Sequence, residues 1–309
     1  MNVLRNFLFI LIFLACFTGV LSPPVALTLG ILFGLLLQNP FPCESRSGAR
    51  WLLQAAVVAL GFGMNLQEVL KAGRSGFLYT ALGIGFAFLV GLWLAKLFKI
   101  AGNCGYLITA GTAICGGSAI AAIGPILQAE EQEMAVALGT VFVLNSVALL
   151  LFPPLGHLLK LSQTQFGLWA ALAIHDTSSV VGAAKSYGSV ALVVGTTVKL
   201  ARALWIVPLA FATAVVKHSK AKIQFPWFIL LFCLAAVLNT YLPRLTFLFQ
   251  YCFQAGRLGL TATLFLIGSG ISRETLRMVG WRPLALGILL WVITAVVSLY
   301  AIVQGWIVL

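Results

Sequence analysis

The sequence predicts an all-α, polytopic membrane protein of about eleven transmembrane helices, arranged as inverted repeats with some helices interrupted. Three observations carry that expectation. Of 309 residues, 61% are hydrophobic and only 8% charged, where a soluble domain carries roughly 25% charged residues. The mean hydropathy is +1.06. Apolar runs recur along the whole chain at the length a bilayer core of ~30 Å demands, about 20 residues or somewhat fewer inside a bundle. This composition excludes a cytosolic enzyme and a nucleic-acid binder. The net charge of +12, from 19 Lys and Arg against 7 Asp and Glu, then raises the question of which membrane face the bases occupy.

In chain order the runs predict helices over 3–21, 25–40, 51–66, 76–98, 106–127, 134–156, 166–184, 188–216, 226–242, 256–271 and 283–304. The first, behind Arg5, resembles a signal peptide, but with so many runs following it is expected to be a retained helix. The second and tenth are short for a full crossing and are expected to be tilted or re-entrant. Lys and Arg gather in cytoplasmic loops. With the N-terminus inside, the inner side holds twelve of them, from Arg5 to Arg282, against five outside, and Lys199 and Arg202 fall within the eighth helix. The C-terminus is then outside. Glu130, Glu131 and Glu133 are assigned to an outer loop, as a solvated turn or, alternatively, a cation-attracting vestibule. Trp51, Trp169, Trp227, Trp281 and Trp306 lie near helix ends, as interfacial anchors should. The six cysteines (Cys16, Cys43, Cys104, Cys115, Cys233 and Cys252) show no C-x-x-C and no His at ligand spacing. Neither a disulfide framework, a metal site nor a cofactor is expected.

Two internal echoes stand out. Residues 61–73, GFGMNLQEVLKAG, resemble 268–280, GSGISRETLRMVG, with glycines matching at 61/268, 63/270 and 73/280. Seven helices separate the copies, which puts them on opposite faces, as an inverted repeat requires. The second echo, AICGGSAIAA (113–122) with AIHDTSSVVG (173–182), joins helices two apart and therefore of the same direction. Both cannot belong to one simple inverted repeat, so the second is assigned to shared local chemistry. A five-plus-five division, helices 2–6 against 7–11, is the simplest architecture.

Few groups are out of place in hydrocarbon, and an intramembrane ionisable residue is a functional candidate because its insertion costs at least ~2.5–3.5 kcal/mol. The first region is Cys115-Gly116-Gly117-Ser118, where paired glycines weaken the fifth helix. A break there is tolerated only against protein or a cavity, and would aim the N–H groups of a new half-helix near Ser118 at the bilayer midplane, a position suited to an anion. Close helix packing through small residues is the alternative. The second is His175-Asp176-Thr177-Ser178-Ser179. Asp176 is the only acid placed inside the membrane, as a proton or cation carrier or a counter-ion. Thr177, Ser178 and Ser179 are candidate ligand donors, although such hydroxyls often bond back to their own helix. His175 is either a proton relay or a structural histidine. The third is VKLARALWIVP (198–208), in which Lys199 and Arg202 share a helix face. Arg offers a planar fork suited to oxyanions, and Lys a point charge. Against Asp176 the tally leaves one positive charge unpaired. Asn65 and Asn145 are supporting polar groups.

The run AICGGSAIAAIGPIL with its following acids, the helix carrying HDTSSVVGAA, and VKLARALWIVP together resemble the YeiH-like sulfate exporter family of bacterial inner-membrane proteins. The likeness runs from about Val25 to the C-terminus. That family is similar to bile-acid-symporter-like and sodium/proton-antiporter-like folds, which implies inverted repeats, a core with interrupted helices and a panel that often forms a homodimer. Carried onto this chain, the glycine break falls on Cys115, Gly116, Gly117 and Ser118, the polar helix on Asp176, Thr177 and Ser178, and the basic face on Lys199 and Arg202. The expected protein is a single transporter domain over 1–309, with N-terminal helices in 1–50, a core in 51–216 and C-terminal helices in 217–309. Its expected activity is secondary transport of a small oxyanion, sulfate or sulfonate, out of the cytoplasm through a multi-pass protein of the inner membrane. Gly116, Gly117, Ser118, Thr177, Ser178, Lys199 and Arg202 would bind the anion, and Asp176 and His175 would serve coupling. The partners are then a small inorganic or organic anion and the bilayer, with no nucleic acid. A cation/proton antiporter with Asp176 as ion ligand, or an anion channel, are the alternatives. An enzyme is not expected, because no H-E-x-x-H and no suggestive Ser/His spacing occurs. The loop charges predict that reporters fused to the two termini report opposite faces of the membrane; both on one face would overturn the odd number of crossings.

Overall fold

The computed structural model describes residues 2–217, 227–273 and 279–308. Its helices are α1 (Asn2–Ala15), α2 (Pro23–Leu36), α3 (Pro42–Gly61), α4 (Leu66–Leu97), α5 (Cys104–Ala113), α6 (Gly117–Ile123), α7 (Glu131–Leu158), α8 (Gln163–Ala173), α9 (Thr177–Tyr187), α10 (Ser189–Ala203), α11 (Ile206–Val216), α12 (Trp227–Tyr241), α13 (Thr246–Ser269) and α14 (Trp281–Val303). Each apolar run has a helix or a pair of helices in its place. Among the described residues, four spans are long and apolar enough to cross a membrane: Tyr79–Leu97, Glu131–Leu158, Ser189–Val216 and Trp281–Val303. A fifth is added if α12 and α13, bent by 99°, count as one.

The chain forms two compact units, Met1–Leu70 with Trp227–Arg273, and Lys71–Pro226 with Glu274–Leu309. In the first, α13 packs on both α2 and α3, and α12 packs on α3. Glycines permit the closest approaches. A Cβ on Gly268 would stand 2.6 Å from the Leu27 carbonyl, and one on Gly61 would stand 2.6 Å from the Phe232 carbonyl. These are the paired glycines of the first echo, and the surroundings match as well. Asn39, just past α2, donates to Ser269 Oγ at the end of α13 (3.0 Å). Asn239, late in α12, donates to the Met64 carbonyl just past α3 (3.2 Å). The end of α3 thus meets α12 as the end of α13 meets α2. Of the second echoed segment, residues 274–278 lie outside the described residues.

The second unit is built around α7, about 42 Å long at 1.5 Å per residue. Here the structure departs from the sequence expectation. The runs 106–127 and 166–184 were expected as interrupted spans, and both are interrupted, at 114–116 and 174–176. Each also doubles back. Asn103, before α5, donates through Nδ2 to the carbonyl of Leu127, beyond α6 (3.4 Å). A Cβ on Gly111 of α5 would lie 3.0 Å from Ile120 of α6. The two helices therefore form a hairpin with both ends at the start of α7, clasped by Glu133, whose carboxylate accepts from the N–H groups of Asn103 (2.7 Å) and Glu130 (3.0 Å). The acidic cluster is a helix start and a latch, not simply a solvated turn.

The second hairpin, α8–α9, enters from the other end of α7. Tyr187 donates to the Leu161 carbonyl (2.6 Å) and stacks on Phe166 at 3.8 Å, and the Val190 N–H reaches the Gln163 side chain (2.9 Å). Trp169 of α8 stacks on Phe152 of α7 at 4.2 Å and donates to the Ala295 carbonyl of α14 (3.0 Å). Hairpin one is buried among Leu107, Ile108, Ile120, Val141, Leu286 and Leu290. Helices of 10 and 11 residues (α5 and α8) reach about 15 and 16 Å inward, so together they match a hydrocarbon core of ~30 Å.

This geometry predicts the labelling of single cysteines in a cysteine-free background. With a membrane-impermeant maleimide, Lys99→Cys and Gln128→Cys react from one face, and Lys160→Cys and Ser189→Cys from the other. Lys99 and Gln128 reacting from different faces would restore the straight span.

Candidate functional site

The two hairpin tips meet at Asn145, midway along α7. Its Oδ1 accepts from the N–H groups of both His175 and Asp176, at 3.1 Å each. These are the residues at which α8 has ended and α9 has not begun, so their N–H groups would otherwise be orphaned in the interior. Across from them, Gly116 holds φ +64°. A Cβ there would lie 3.4 Å from Asp176 Cβ and 3.5 Å from Asn145 Nδ2. Those are ordinary contact distances, so glycine is called for at 116 by its positive φ.

Lys199 and Arg202 are fully buried, at 0% and 2% exposure. Neither points at open space. Lys199 Nζ donates to the carbonyls of Ile174 (2.7 Å), Ile114 (3.0 Å) and Ala171 (3.5 Å). Arg202 donates from Nε to Ala113 (2.6 Å), from Nη1 to Leu172 and to Ala171 (3.4 Å), and from Nη2 to Thr112 (3.5 Å). The acceptors are three carbonyls from the end of α5 (Thr112, Ala113, Ile114) and three from the end of α8 (Ala171, Leu172, Ile174). Helix breaks expose such carbonyls, which carry the negative end of each helix dipole. The three contacts of Lys199 are as many as an ammonium group can donate. The spacing of three residues on α10 places both bases on the same seam.

Asp176 is the N-cap of α9. Its Oδ2 accepts from Ser178 N (3.0 Å), Ser179 N (3.3 Å) and Ser178 Oγ. The carboxylate thus satisfies its own helix start. Thr177 and Ser178 are buried with it, while Ser118 on the other tip is exposed and Gly117 half-buried. Asn65 begins α4 with an Asx turn to Gln67 N (2.8 Å) and belongs to the first unit. Asn145, taken from sequence only as a supporting group, is the hub; the available signal was one amide midway along an otherwise apolar helix.

Several buried polar atoms at the tips lack a hydrogen-bond partner: Asn145 Nδ2, both ring nitrogens of His175 and Thr112 Oγ1. Such groups rarely stay unpaired in a closed interior, so the junction is equipped for a ligand or water. The charge balance there is positive. Two half-helix C-termini supply about −1 and two N-termini about +1. Lys199 and Arg202 add two positive charges and Asp176 one negative, leaving about one positive charge. At the base of hairpin one, a groove of about 330 Å³ is lined by Lys99, Glu130, Gln132, Glu133 and Arg282 among others. Its lining carries both signs of charge.

The profile of the family described as Conserved hypothetical protein 698 matches residues 6–287. This chain belongs to that family. It is the YeiH-like family whose motifs the sequence carries. Among its relatives, a UPF0324 membrane protein of Bacteroides thetaiotaomicron is 51% identical over 90% of this chain and 85% of its own length. One of Geobacter sulfurreducens is 47% identical over 98% of both chains. One of Bdellovibrio bacteriovorus is 48% identical over 95% and 93%. No solved structure matches. Membrane-protein relatives and apolar helices together make this a membrane protein.

Asn145→Leu removes the acceptor shared by His175 and Asp176 and strands two buried N–H groups. At 1–3 kcal/mol each, the expected loss is about 2–6 kcal/mol, read as a lower midpoint of thermal unfolding in detergent. An unchanged midpoint would remove Asn145 as the hub.

Proposed function

We propose that this protein is a secondary transporter, not an enzyme, that exports a small oxyanion of the sulfate or sulfonate class across the inner membrane. The residual positive charge of about one unit at the meeting of the hairpin tips, in a region equipped with unpaired donors, carries this reading. A bound anion would neutralise it, with Asn145 Nδ2, the exposed Ser118 and the backbone around Gly116 and Gly117 as the nearest donors. Lys199 and Arg202 contribute through their field, since their hydrogen bonds go to carbonyls. Asp176, engaged by Ser178 and Ser179, is poorly placed as the ligand of a transported cation.

The topology that supports alternating access has nine crossings and two re-entrant hairpins. The crossings are α1, α2, α3, α4, α7, the α10–α11 span, α12, α13 and α14. The number remains odd, so the N-terminus stays inside and the C-terminus outside. Lys160 moves outward and the acidic cluster inward, and the Lys and Arg bias becomes eleven to six, still positive inside. Both sequence echoes now relate elements of opposite direction: the α3–α4 and α13–α14 junctions, and the two hairpin tips. A circularly permuted inverted repeat would accommodate both, because hairpin two and the α10–α11 span precede α12 in the chain, whereas hairpin one and α7 follow α4. This is the arrangement in which half-helix ends meet at the midplane of a carrier.

Asn145→Asp tests the sign of the cargo. It keeps the acceptor for His175 and Asp176, replaces the unpaired donor and adds a negative charge. In proteoliposomes, radiolabelled sulfate or alkanesulfonate flux is expected to fall at least ~100-fold, as a loss of about 2.7 kcal/mol in binding would give. Retained oxyanion flux, or cation–proton exchange seen with a pH-sensitive dye and lost in Asp176→Asn, would replace this reading with the antiporter.

A further inference from the structure

Carbonyl oxygens at the ends of broken membrane helices are the groups with which carriers of this kind hold a coupling cation. In this chain six such carbonyls converge, and every one accepts from Lys199 or Arg202. The cages are therefore full. Both side chains are buried, and they come from one helix that belongs to neither hairpin. We infer that the Lys199 ammonium is a tethered substitute for a coupling cation, occupying a latent site for a small monovalent cation formed by the carbonyls of Ile114, Ala171 and Ile174.

Three points bear on the chemistry of that latent site. Its ligands are neutral oxygens only, so it suits a single positive charge and gives no carboxylate for a divalent ion. The Nζ–O distances of 2.7, 3.0 and 3.5 Å are nearer to the contacts of K⁺ or ammonium than to the shorter ones of Na⁺. The cation is covalently attached to α10, so it cannot leave, and the bond between the tips persists through any cycle. Neither hairpin C-terminus then needs an ion from solution. A corollary, which rests on the oxyanion reading above, is that anion flux needs no Na⁺ or K⁺ gradient. The binding inference itself is independent of the cargo.

The test is a cation titration of thermal stability in detergent, with choline chloride holding ionic strength constant. The wild type is expected to show no saturable response to Na⁺, K⁺ or NH₄⁺. Lys199→Ala empties the cage, and its unfolding midpoint is expected to rise by about 5 °C with K⁺ or NH₄⁺, saturably, as a ligand binding only the folded state requires. Methylammonium, which returns the head group with one carbon of the lost stem, is expected to act likewise. Lys199→Met fills the cage without charge and is expected to be destabilised and unresponsive. If Lys199→Ala is recovered folded only when purified in K⁺ or NH₄⁺ and not in choline, the inference is equally supported. Saturable stabilisation of the wild type would overturn it. So would equal responses of the Ala and Met variants, or failure of every cation to stabilise or recover Lys199→Ala. Sulfate flux failing in the wild type while the Lys199→Ala titration succeeds would reject the cargo and leave the tethered cation in place.

Discussion

The arrangement of the second unit depends on six carbonyl groups. A helix that stops in the middle of a membrane leaves its last carbonyls without donors, and water is not there to supply them. Both hairpins stop in this way, and both sets of carbonyls are held by two side chains of α10. Without Lys199 and Arg202 the breaks would be untenable. Without the breaks the two charges would be buried and unpaired. Removing one member leaves buried polar groups unpaired, at about 1–3 kcal/mol each, so each feature enforces the other. The N-terminal side of the same junction is managed separately, by Asp176 at the start of α9 and by Asn145 for the N–H groups of the tip.

The same interaction shapes what the site can do. Because the bases are spent on carbonyls, they would act on the proposed anion through charge rather than through contact, and the contacts would fall to small groups: an amide, a hydroxyl and the backbone beside Gly116. The hairpins enter from opposite ends of α7 and meet at a single amide. Only the tip of hairpin two is bonded to that amide, through the His175 and Asp176 N–H groups. In the first unit, Gly61 against α12 and Gly268 against α2 make matching close contacts, through packing instead of charge.

Much of this was legible in the residues. Apolar runs mark the helices because hydrocarbon leaves no alternative way to satisfy a backbone. Gly116-Gly117 and Asp176-Thr177-Ser178 mark the breaks because they weaken a helix or start a new one, and Lys199 and Arg202 are conspicuous because burying charge is costly. The reversal of each broken run was not legible. An interrupted span and a hairpin of the same length have the same hydropathy and the same glycines, and differ only in which residues meet: Asn103 with Leu127, or Tyr187 with Leu161.

By itself, then, the sequence determined the class of protein, the places where its helices fail and the charges that must be compensated, because each follows from the cost of polar groups in hydrocarbon, which is a property of single residues. Only the tertiary structure decided what compensates them. Whether Lys199 faces an anion, Asp176 or the end of a helix depends on pairs of residues as far apart as Thr112 and Arg202, and hydrophobic patterning does not encode which of several satisfactory partners a buried charge will find.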